Sequence, residues 1–214
     1  MLSVLIKKLG RNLPSLTVMF VGALIGVLSF ITLRFLLVHP PEIHFHSNYA
    51  VYVDGVREEF KSFTFYEEVA ACTSAYKNNP KGRVHMHDNV NDVIHVHDKR
   101  VMYADFFQNI DWKLGKTFVQ TDAGIIQNTE EKKWVFILNG KQVDRVDNLL
   151  IGNLDKLLVS YGASDTDFMA QYKTVSDSAE EKNKYQDPSS CSGLNGPAEE
   201  SFSERLKRAV WIAE

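Results

Sequence analysis

The sequence has few cysteines and no excess of positive charge, and each shortage excludes a class of function. Its 214 residues include only two cysteines, Cys72 and Cys191, and no Cys-x-x-Cys pair, so thioredoxin-like redox chemistry has no residues to act through. The formal net charge is -3, from 24 Lys and Arg against 27 Asp and Glu. Because nucleic-acid binding needs a strongly basic surface, DNA and RNA are not expected partners.

Recognisable catalytic motifs are also missing. The chain has neither a Gly-x-Ser-x-Gly nucleophile elbow nor a glycine-rich phosphate loop, and its His-x-His pairs lack the following Glu of the cupin pattern. A catalytic zinc site would need three protein ligands and a nearby acid or base, and no spacing singles out such a group. The sequence therefore does not predict an enzyme, and it leaves the question open.

The chain does contain one long apolar run, LTVMFVGALIGVLSFITLRFLLV, at residues 16–38. A helix of this length covers the roughly 30 Å hydrocarbon core of a bilayer, so the run predicts a transmembrane helix. A cleaved signal peptide and a buried core helix are the alternatives. Lys7, Lys8 and Arg11 place residues 1–15 in the cytoplasm under the positive-inside rule. The expectation is a single-pass protein of the cell membrane with everything after about residue 39 outside.

The segment that follows, residues 42–162, predicts one extracytoplasmic α+β domain made of β-hairpins with one or two short helices. A hairpin is expected at 48–60, where alternating apolar residues flank the Asp54-Gly55 turn signal. Helical spacing marks residues 65–76 and 102–112. Strand candidates share short apolar, β-branched or aromatic runs and lie at 116–121, 133–138 and 156–161.

Composition changes sharply after residue 162. Residues 163–200 are acidic and poor in large apolar side chains, which predicts a disordered linker. Residues 201–214 regain helical spacing and predict an amphipathic helix with Ser201 or Ser203 as N-cap. The acidic tail and this helix are candidates for recruiting an envelope protein partner. Whether Cys72 and Cys191 form a disulfide stays open.

The most unusual feature is a repeated His-x-His-Asp phrase. Four of the seven histidines lie in RVHMHDNVNDVIHVHDKRV at residues 83–101, and two more form His44-Phe45-His46. In a strand, residues i and i+2 point to one face, so His85 with His87 and His95 with His97 form two pairs of neighbouring imidazoles. The turn-like residues between the pairs predict a β-hairpin.

The hairpin register decides whether the pairs meet. A hairpin centred on Asn91 places His87 opposite His95 and His85 opposite His97, with all four rings on one face. A shift of one residue would send the pairs to opposite faces. The loop must therefore contain an odd number of residues for a four-histidine site.

This arrangement predicts a transition-metal site, because neutral imidazole suits Zn²⁺, Cu²⁺ and Ni²⁺. Asp88 and Asp98 follow the two pairs, where each can complete the coordination sphere or accept the distal N–H of a ligand histidine. His44 and His46 add a further pair if their strand adjoins the hairpin. Metal capture and metal-stabilised structure are the corresponding roles.

Two other interpretations use the same histidines. One is an exposed strand that happens to be histidine-rich. The other is a pH sensor whose imidazoles become charged as the exterior acidifies. In both cases the protein would be a non-catalytic envelope interaction or structural protein.

The chain resembles a set of uncharacterised membrane-anchored proteins of small-genome bacteria and archaea. The resemblance is carried by HMHDNVNDVIHVHDKRV at 85–101, Ala-Asp-Phe-Phe at 104–107, Leu-Asn-Gly-Lys at 138–141 and LDKLLVSYG at 154–162. It implies a membrane anchor and no activity. Residues 101–162 are also distantly similar in topology to β-grasp domains such as the C-terminal modules of cobalamin carriers, and that similarity implies no binding residues.

Overall fold

The computed structural model describes residues 2–38, 43–66, 80–184 and 201–211, with side chains from residue 16 onward. Two compact units divide the chain: residues 1–41 together with 197–214, and residues 42–196. Cys72 and Cys191 lie outside the described residues, as does most of the helix expected at 65–76, of which only Phe65 and Tyr66 are described.

Six helices and ten strands are described. The helices are α1 (Leu2–Leu37), α2 (Pro80–Arg83), α3 (Tyr103–Asn109), α4 (Phe168–Lys173), α5 (Ser178–Lys182) and α6 (Phe202–Ala209), with a 3₁₀ turn at Phe63–Phe65. The strands are β1 (Phe45–Val53), β2 (Val56–Arg57), β3 (Val84–His85), β4 (Val93–Val96), β5 (Lys113–Leu114), β6 (Phe118–Thr121), β7 (Gly124–Gln127), β8 (Lys132–Leu138), β9 (Lys141–Val143) and β10 (Lys156–Ala163).

The first unit contains the apolar helix and the C-terminal helix. Within α1, the segment Leu16–Leu37 is long and apolar enough to cross a membrane. No other helix among the described residues is both long and apolar enough to do so. Its large apolar side chains are exposed. The C-terminal helix α6 begins at N-cap Ser201, whose hydroxyl accepts from the Glu204 amide while the Glu204 carboxylate accepts from the Ser201 amide. This capping box stabilises the first turn of α6, which spans Phe202–Ala209 of the residues 201–214 expected to be helical.

The second unit is built on a mixed sheet in the order β3-β4-β1-β10-β8-β9, with β2 paired to β1. The central pair, β1 and β10, is parallel, and the other pairs are antiparallel. Residues Asp54 and Gly55, and likewise Asn139 and Gly140, have positive φ, as two-residue hairpin turns require. A separate three-stranded sheet has the order β5-β6-β7. The chain therefore has the expected α+β architecture.

The two faces of the main sheet bury different residues. Odd-numbered residues of β1, such as Tyr49 and Val51, join the larger core with α3 and the aromatic residues Phe60 and Trp112. Even-numbered residues face the other way, where Ala50 and Tyr52 form a smaller core with Ile137, Leu158 and Val175. His46, at an even position of β1, lies on this second face.

The segment 163–184 differs from the disordered linker expected there. It contains the last residue of β10 and the helices α4 and α5, while residues 185–200 lie outside the described part. Phe168, Tyr172, Val175 and Ala179 recur at helical spacing, and Val175 and Ala179 are buried. Four well-spaced apolar side chains are enough to cover the second face of the sheet, although the surrounding composition is acidic.

Asn48 on β1 fixes the start of α5 on that face. Its side-chain oxygen accepts from the Ala179 amide at 2.9 Å and from the hydroxyls of Ser176 and Ser178 at 3.2 and 3.3 Å. Asn48 is only 2% exposed, so these bonds replace those that water would otherwise make.

Replacing Asn48 by Ala is expected to lower the free energy of unfolding of residues 42–196 by about 1–3 kcal/mol, because the buried Ala179 amide loses its acceptor. The measurement is urea unfolding followed by tryptophan fluorescence. Asn91→Ala, which removes an exposed bond to the Glu59 carbonyl, is the matched control and should cost less than about 1 kcal/mol. Equal losses in both variants would contradict this role of Asn48.

Candidate metal centre

Three adjacent strands bring six histidines to one face of the sheet. In the central strand of the three, His95 pairs with His46 of β1 on one side and with His85 of β3 on the other. Of the remaining three, His44 lies two residues before His46, His87 two residues after His85 and His97 two residues after His95, and their rings join the same cluster. The strand carrying His44 and His46 therefore does adjoin the histidine hairpin.

The register within the hairpin differs from the expected one. Val84 pairs with Val96 and His85 with His95, so the hairpin is centred on Val90 and each residue's partner lies two positions earlier than expected. The cause is the turn: Asp88 and Asn89 both have positive φ, and the Val90 amide donates to the His87 carbonyl at 3.1 Å. Asn and Asp tolerate this conformation, so the chain reverses immediately after His87. The displacement preserves parity, and all four histidines share a face as predicted.

The six rings form one continuous cluster. His95 lies with its ring centroid 3.6 Å from that of His87 and 4.4 Å from that of His46. His97 stacks between His44, at 4.7 Å, and His85, at 5.1 Å. Four of the residues are buried, namely His46, His85, His87 and His95. His44 and His97 are partly exposed at the edge of the cluster.

Three of the rings have their Nδ1 atoms bonded to oxygen acceptors. His46 Nδ1 lies 2.7 Å from Asn183 Oδ1. The same atom accepts from the His46 backbone amide, which identifies it as the oxygen of the Asn183 side-chain amide. His85 Nδ1 lies 2.8 Å from the Lys81 carbonyl. His87 Nδ1 lies 2.9 Å from the Asp88 carboxylate. In a neutral ring the proton then resides on Nδ1, and Nε2 keeps its lone pair.

The pair His46 and His95 extends this pattern. His46 Nε2 lies 2.9 Å from His95 Nδ1, and because His46 Nε2 carries no proton, His95 Nδ1–H is the donor. That leaves the lone pair of His95 on Nε2. The Nε2 atoms of His95 and His97 are buried and have no hydrogen-bond partner among the described residues. Such nitrogens are costly to bury unless something else binds them.

Burial keeps His46, His85, His95 and His97 uncharged at neutral pH. Desolvation lowers the pKa of His46 and of His85 from 6.5 to about 4, and neighbouring imidazoles add to the effect. The same two causes lower the pKa of His97 to about 2 and that of His95 well below its usual value. Protons therefore do not compete for these nitrogen lone pairs at pH 7.

The donor set fits a transition metal. One nitrogen each of His44, His46 and His95 lies within 4.8 Å of the other two. Two histidine nitrogens on a tetrahedral Zn²⁺ are about 3.3 Å apart, given Zn–N distances of about 2.0 to 2.1 Å. Small ring rotations therefore suffice to bring all three nitrogens onto one ion. His85, His87 and His97 stand beside this triad.

The two aspartates predicted with the histidines have different positions. Asp88 accepts from His87 Nδ1, one of the two roles expected for it. Asp98 does not join the cluster, because its carboxylate accepts from Arg83 Nε at 2.7 Å and from the Lys99 amide. The fixed positive charge of Arg83, the last residue of α2, keeps the Asp98 carboxylate at the surface.

Sequence reasoning missed Asn183. This residue ends α5 and lies 137 positions from His46, in a segment whose composition suggested disorder. Its Nδ2 donates to Asn153 Oδ1 at 2.8 Å, which holds the amide in place. The helical spacing of the apolar residues from Phe168 to Ala179 was the available signal for an ordered segment there.

A surface groove of about 560 Å³ adjoins the partly exposed end of the cluster. Its lining includes Ile43, His44 and Phe45 at the start of β1, together with residues 98–101. His44 is the cluster member that lines it, so the groove gives a small solute a path to the histidines.

Comparisons with known proteins find no family model, no curated protein and no solved structure that matches this chain. The similarity to membrane-anchored histidine-rich proteins and to β-grasp domains therefore remains an expectation from sequence. The function has to be inferred from the geometry of the site.

Acid is expected to destabilise the metal-free domain between about pH 6.5 and 4. The folded histidines stay neutral in this range while unfolded histidines, with pKa 6.5, take up protons. Stability is thus fully present above pH 6.5 and falls as the pH decreases, by about 1.4 kcal/mol per pH unit for each such histidine. With two or more contributing, urea unfolding should show a slope of about 3 kcal/mol per pH unit or steeper.

The control is His85→Gln, which removes one titrating ring and should reduce that slope by about 1.4 kcal/mol per pH unit. An unfolding free energy that stays constant from pH 7 to about pH 4.5 would show that the rings are not buried as neutral groups.

Proposed function

We propose that the protein is a single-pass membrane protein, N-terminus inside, whose external α+β domain binds one Zn²⁺, Cu²⁺ or Ni²⁺ ion through the histidine cluster. The observation that carries the proposal is the hydrogen-bonding of the rings. His46, His85 and His87 each donate Nδ1–H to an oxygen acceptor, the outer arrangement typical of metal-ligating histidines. With the proton on Nδ1, the lone pair that could bind an ion lies on Nε2 of each ring.

The triad of His44, His46 and His95 supplies the first three ligands in this proposal. In the metal-free domain the lone pair of His46 Nε2 accepts from His95. A bound ion takes the place of that hydrogen bond on His46 Nε2, and His95 binds the same ion through the nitrogen that carries no proton. One of the adjoining rings of His85, His87 and His97 supplies the fourth nitrogen that a four-coordinate ion needs.

Membrane attachment is supported by the exposed apolar helix. Residues Leu16–Leu37 have no covering among the described residues over most of their length, as lipid contact requires. The basic residues Lys7, Lys8 and Arg11 precede the span. With the domain outside, the site would capture metal ions at the cell surface or use them to stabilise the domain.

The pH-sensing alternative is less well supported by the same histidines. Burial holds the pKa of His46 and of His85 at about 4. Histidine switches act where the pKa lies near the ambient pH, in the range of about 5 to 8. Rings that remain neutral down to about pH 4 favour metal binding over sensing of mild acidification.

Calorimetric titration of the full-length, chelator-treated protein in detergent with Zn²⁺, Cu²⁺ and Ni²⁺ tests the proposal. One ion per chain is expected for at least one of the metals. His46→Ala combined with His95→Ala should weaken binding by more than about 100-fold, beyond the 10- to 100-fold typical of an outer-sphere change. Asp98→Asn, which alters a carboxylate held by Arg83, is the matched control and should leave the affinity unchanged. No binding by a folded protein would refute the metal site.

Asn183 is expected to act by positioning His46. Asn183→Leu removes the acceptor for His46 Nδ1–H and should weaken metal binding by about 10- to 100-fold. Asn183→Asp keeps an oxygen at that place and should restore most of the affinity, measured in the same titration. If both variants bind equally weakly, the residue matters only through the packing of α5.

A further inference from the structure

Arginine side chains of α6 donate hydrogen bonds to the backbone carbonyls at the end of α1. Arg205 donates from Nε to the Phe35 carbonyl at 2.6 Å and from Nη2 to the Leu36 carbonyl at 3.2 Å, and Arg208 Nη1 donates to the Val38 carbonyl at 2.6 Å. Phe35 and Leu36 lie in the last turn of α1 and Val38 directly follows it, so no amide of the helix can reach these carbonyls. The guanidinium groups of Arg205 and Arg208 therefore supply hydrogen-bond donors to the carbonyls at the end of the apolar helix.

In the same way, Arg34 of α1 donates hydrogen bonds to the backbone carbonyls at the end of α6. Its Nε and Nη2 donate to the carbonyls of Ala209 and Arg208, both at 3.1 Å. The guanidinium also lies 3.8 Å from the ring centroid of Trp211. An arginine inside an apolar run is costly in a bilayer unless its charge and donors are met. The C-terminal helix meets them.

The outer surface of α6 combines large apolar and basic side chains. Phe202 is 71% exposed and Trp211 is 62% exposed, although each touches a ring of α1: Phe202 lies 5.4 Å from Phe35 and Trp211 lies 5.5 Å from Phe30. Lys207 is exposed on the same short helix. Aromatic and basic residues together are typical of segments that lie in the membrane interface.

An apolar groove of about 340 Å³ continues from Trp211 along α1 toward Gly26. Its lining is formed by Val27, Phe30, Ile31 and Val210 as well. Both the groove and the exposed rings are continuous with the apolar surface of α1. The region of a bilayer between its acyl chains and its headgroups would cover the groove, the exposed rings and the apolar surface of α1.

We infer that α6 is a second membrane contact: the chain returns after the domain, and residues 201–211 lie in the outer interfacial layer against the last two turns of α1. Phe202 and Trp211 then insert among acyl chains, and Lys207 faces lipid phosphates. Residues 16–33 remain for the hydrocarbon core and cover about 27 Å, within the range of a transmembrane helix. This inference rests on the membrane span of the proposed function and not on the metal centre.

The test uses the full-length protein in vesicles of phosphatidylcholine and phosphatidylglycerol whose acyl chains carry bromine. Trp112 and Trp134 are buried in the domain, so lipid quenching reports on Trp211. Bromine close to the headgroup is expected to quench part of the emission more strongly than bromine near the chain ends, and Trp211→Phe should abolish that quenched part. Iodide in the water should not reach Trp211.

A matched pair of variants separates docking from general charge. Arg205→Gln breaks the bonds to α1 and should raise the accessibility of Trp211 to iodide several-fold, whereas Lys207→Gln removes the same charge without touching α1 and should not. Co-flotation with the vesicles is measured in parallel. Protein that does not float refutes the span itself. Protein that floats but has Trp211 accessible to iodide overturns only the inference about α6. The inference is also overturned if Trp211 is neither reached by iodide nor quenched by lipid, because Trp211 would then lie against another protein chain.

Discussion

The position of β1 in the sheet is the constraint on which the site depends. This strand pairs in parallel with β10, antiparallel with β4 and with β2 through a hairpin. Its odd residues are committed to the larger core, so its even residues, His46 and Asn48 among them, must face α5. Pairing with β4 sets His46 beside His95. The strand β10, which pairs with β1, is followed in the chain by α4 and α5. These helices pack on the same face and place Asn183 beside His46.

Burial of several imidazoles then dictates the chemistry. Each ring brings two polar nitrogens, and a buried nitrogen without a partner costs free energy. The fold supplies acceptors for Nδ1 of His46, His85 and His87, but the Nε2 atoms of His95 and His97 have no hydrogen-bond partner in the described residues. A metal ion binds several such nitrogens at once.

Local sequence signals predicted the elements better than their pairing. The Asp54-Gly55 turn, the helix around Phe106, the capped helix after Ser201 and the shared face of the four hairpin histidines all follow from short-range rules. The exact register did not, because it depends on Asp88 and Asn89 both adopting positive φ. The third histidine strand and Asn183 were beyond local reasoning, since they meet the hairpin only through the sheet order. Residues 163–184 were misjudged from average composition, although a few correctly spaced apolar residues govern their packing.

The domain of residues 42–196 lies in the sequence between the two segments of the other unit. A membrane contact at α6 in addition to α1 would place a membrane-contacting segment on each side of this domain in the sequence. It would also change the expected role of the C-terminal helix, because the arginines that could bind an acidic partner already hold the carbonyls of α1.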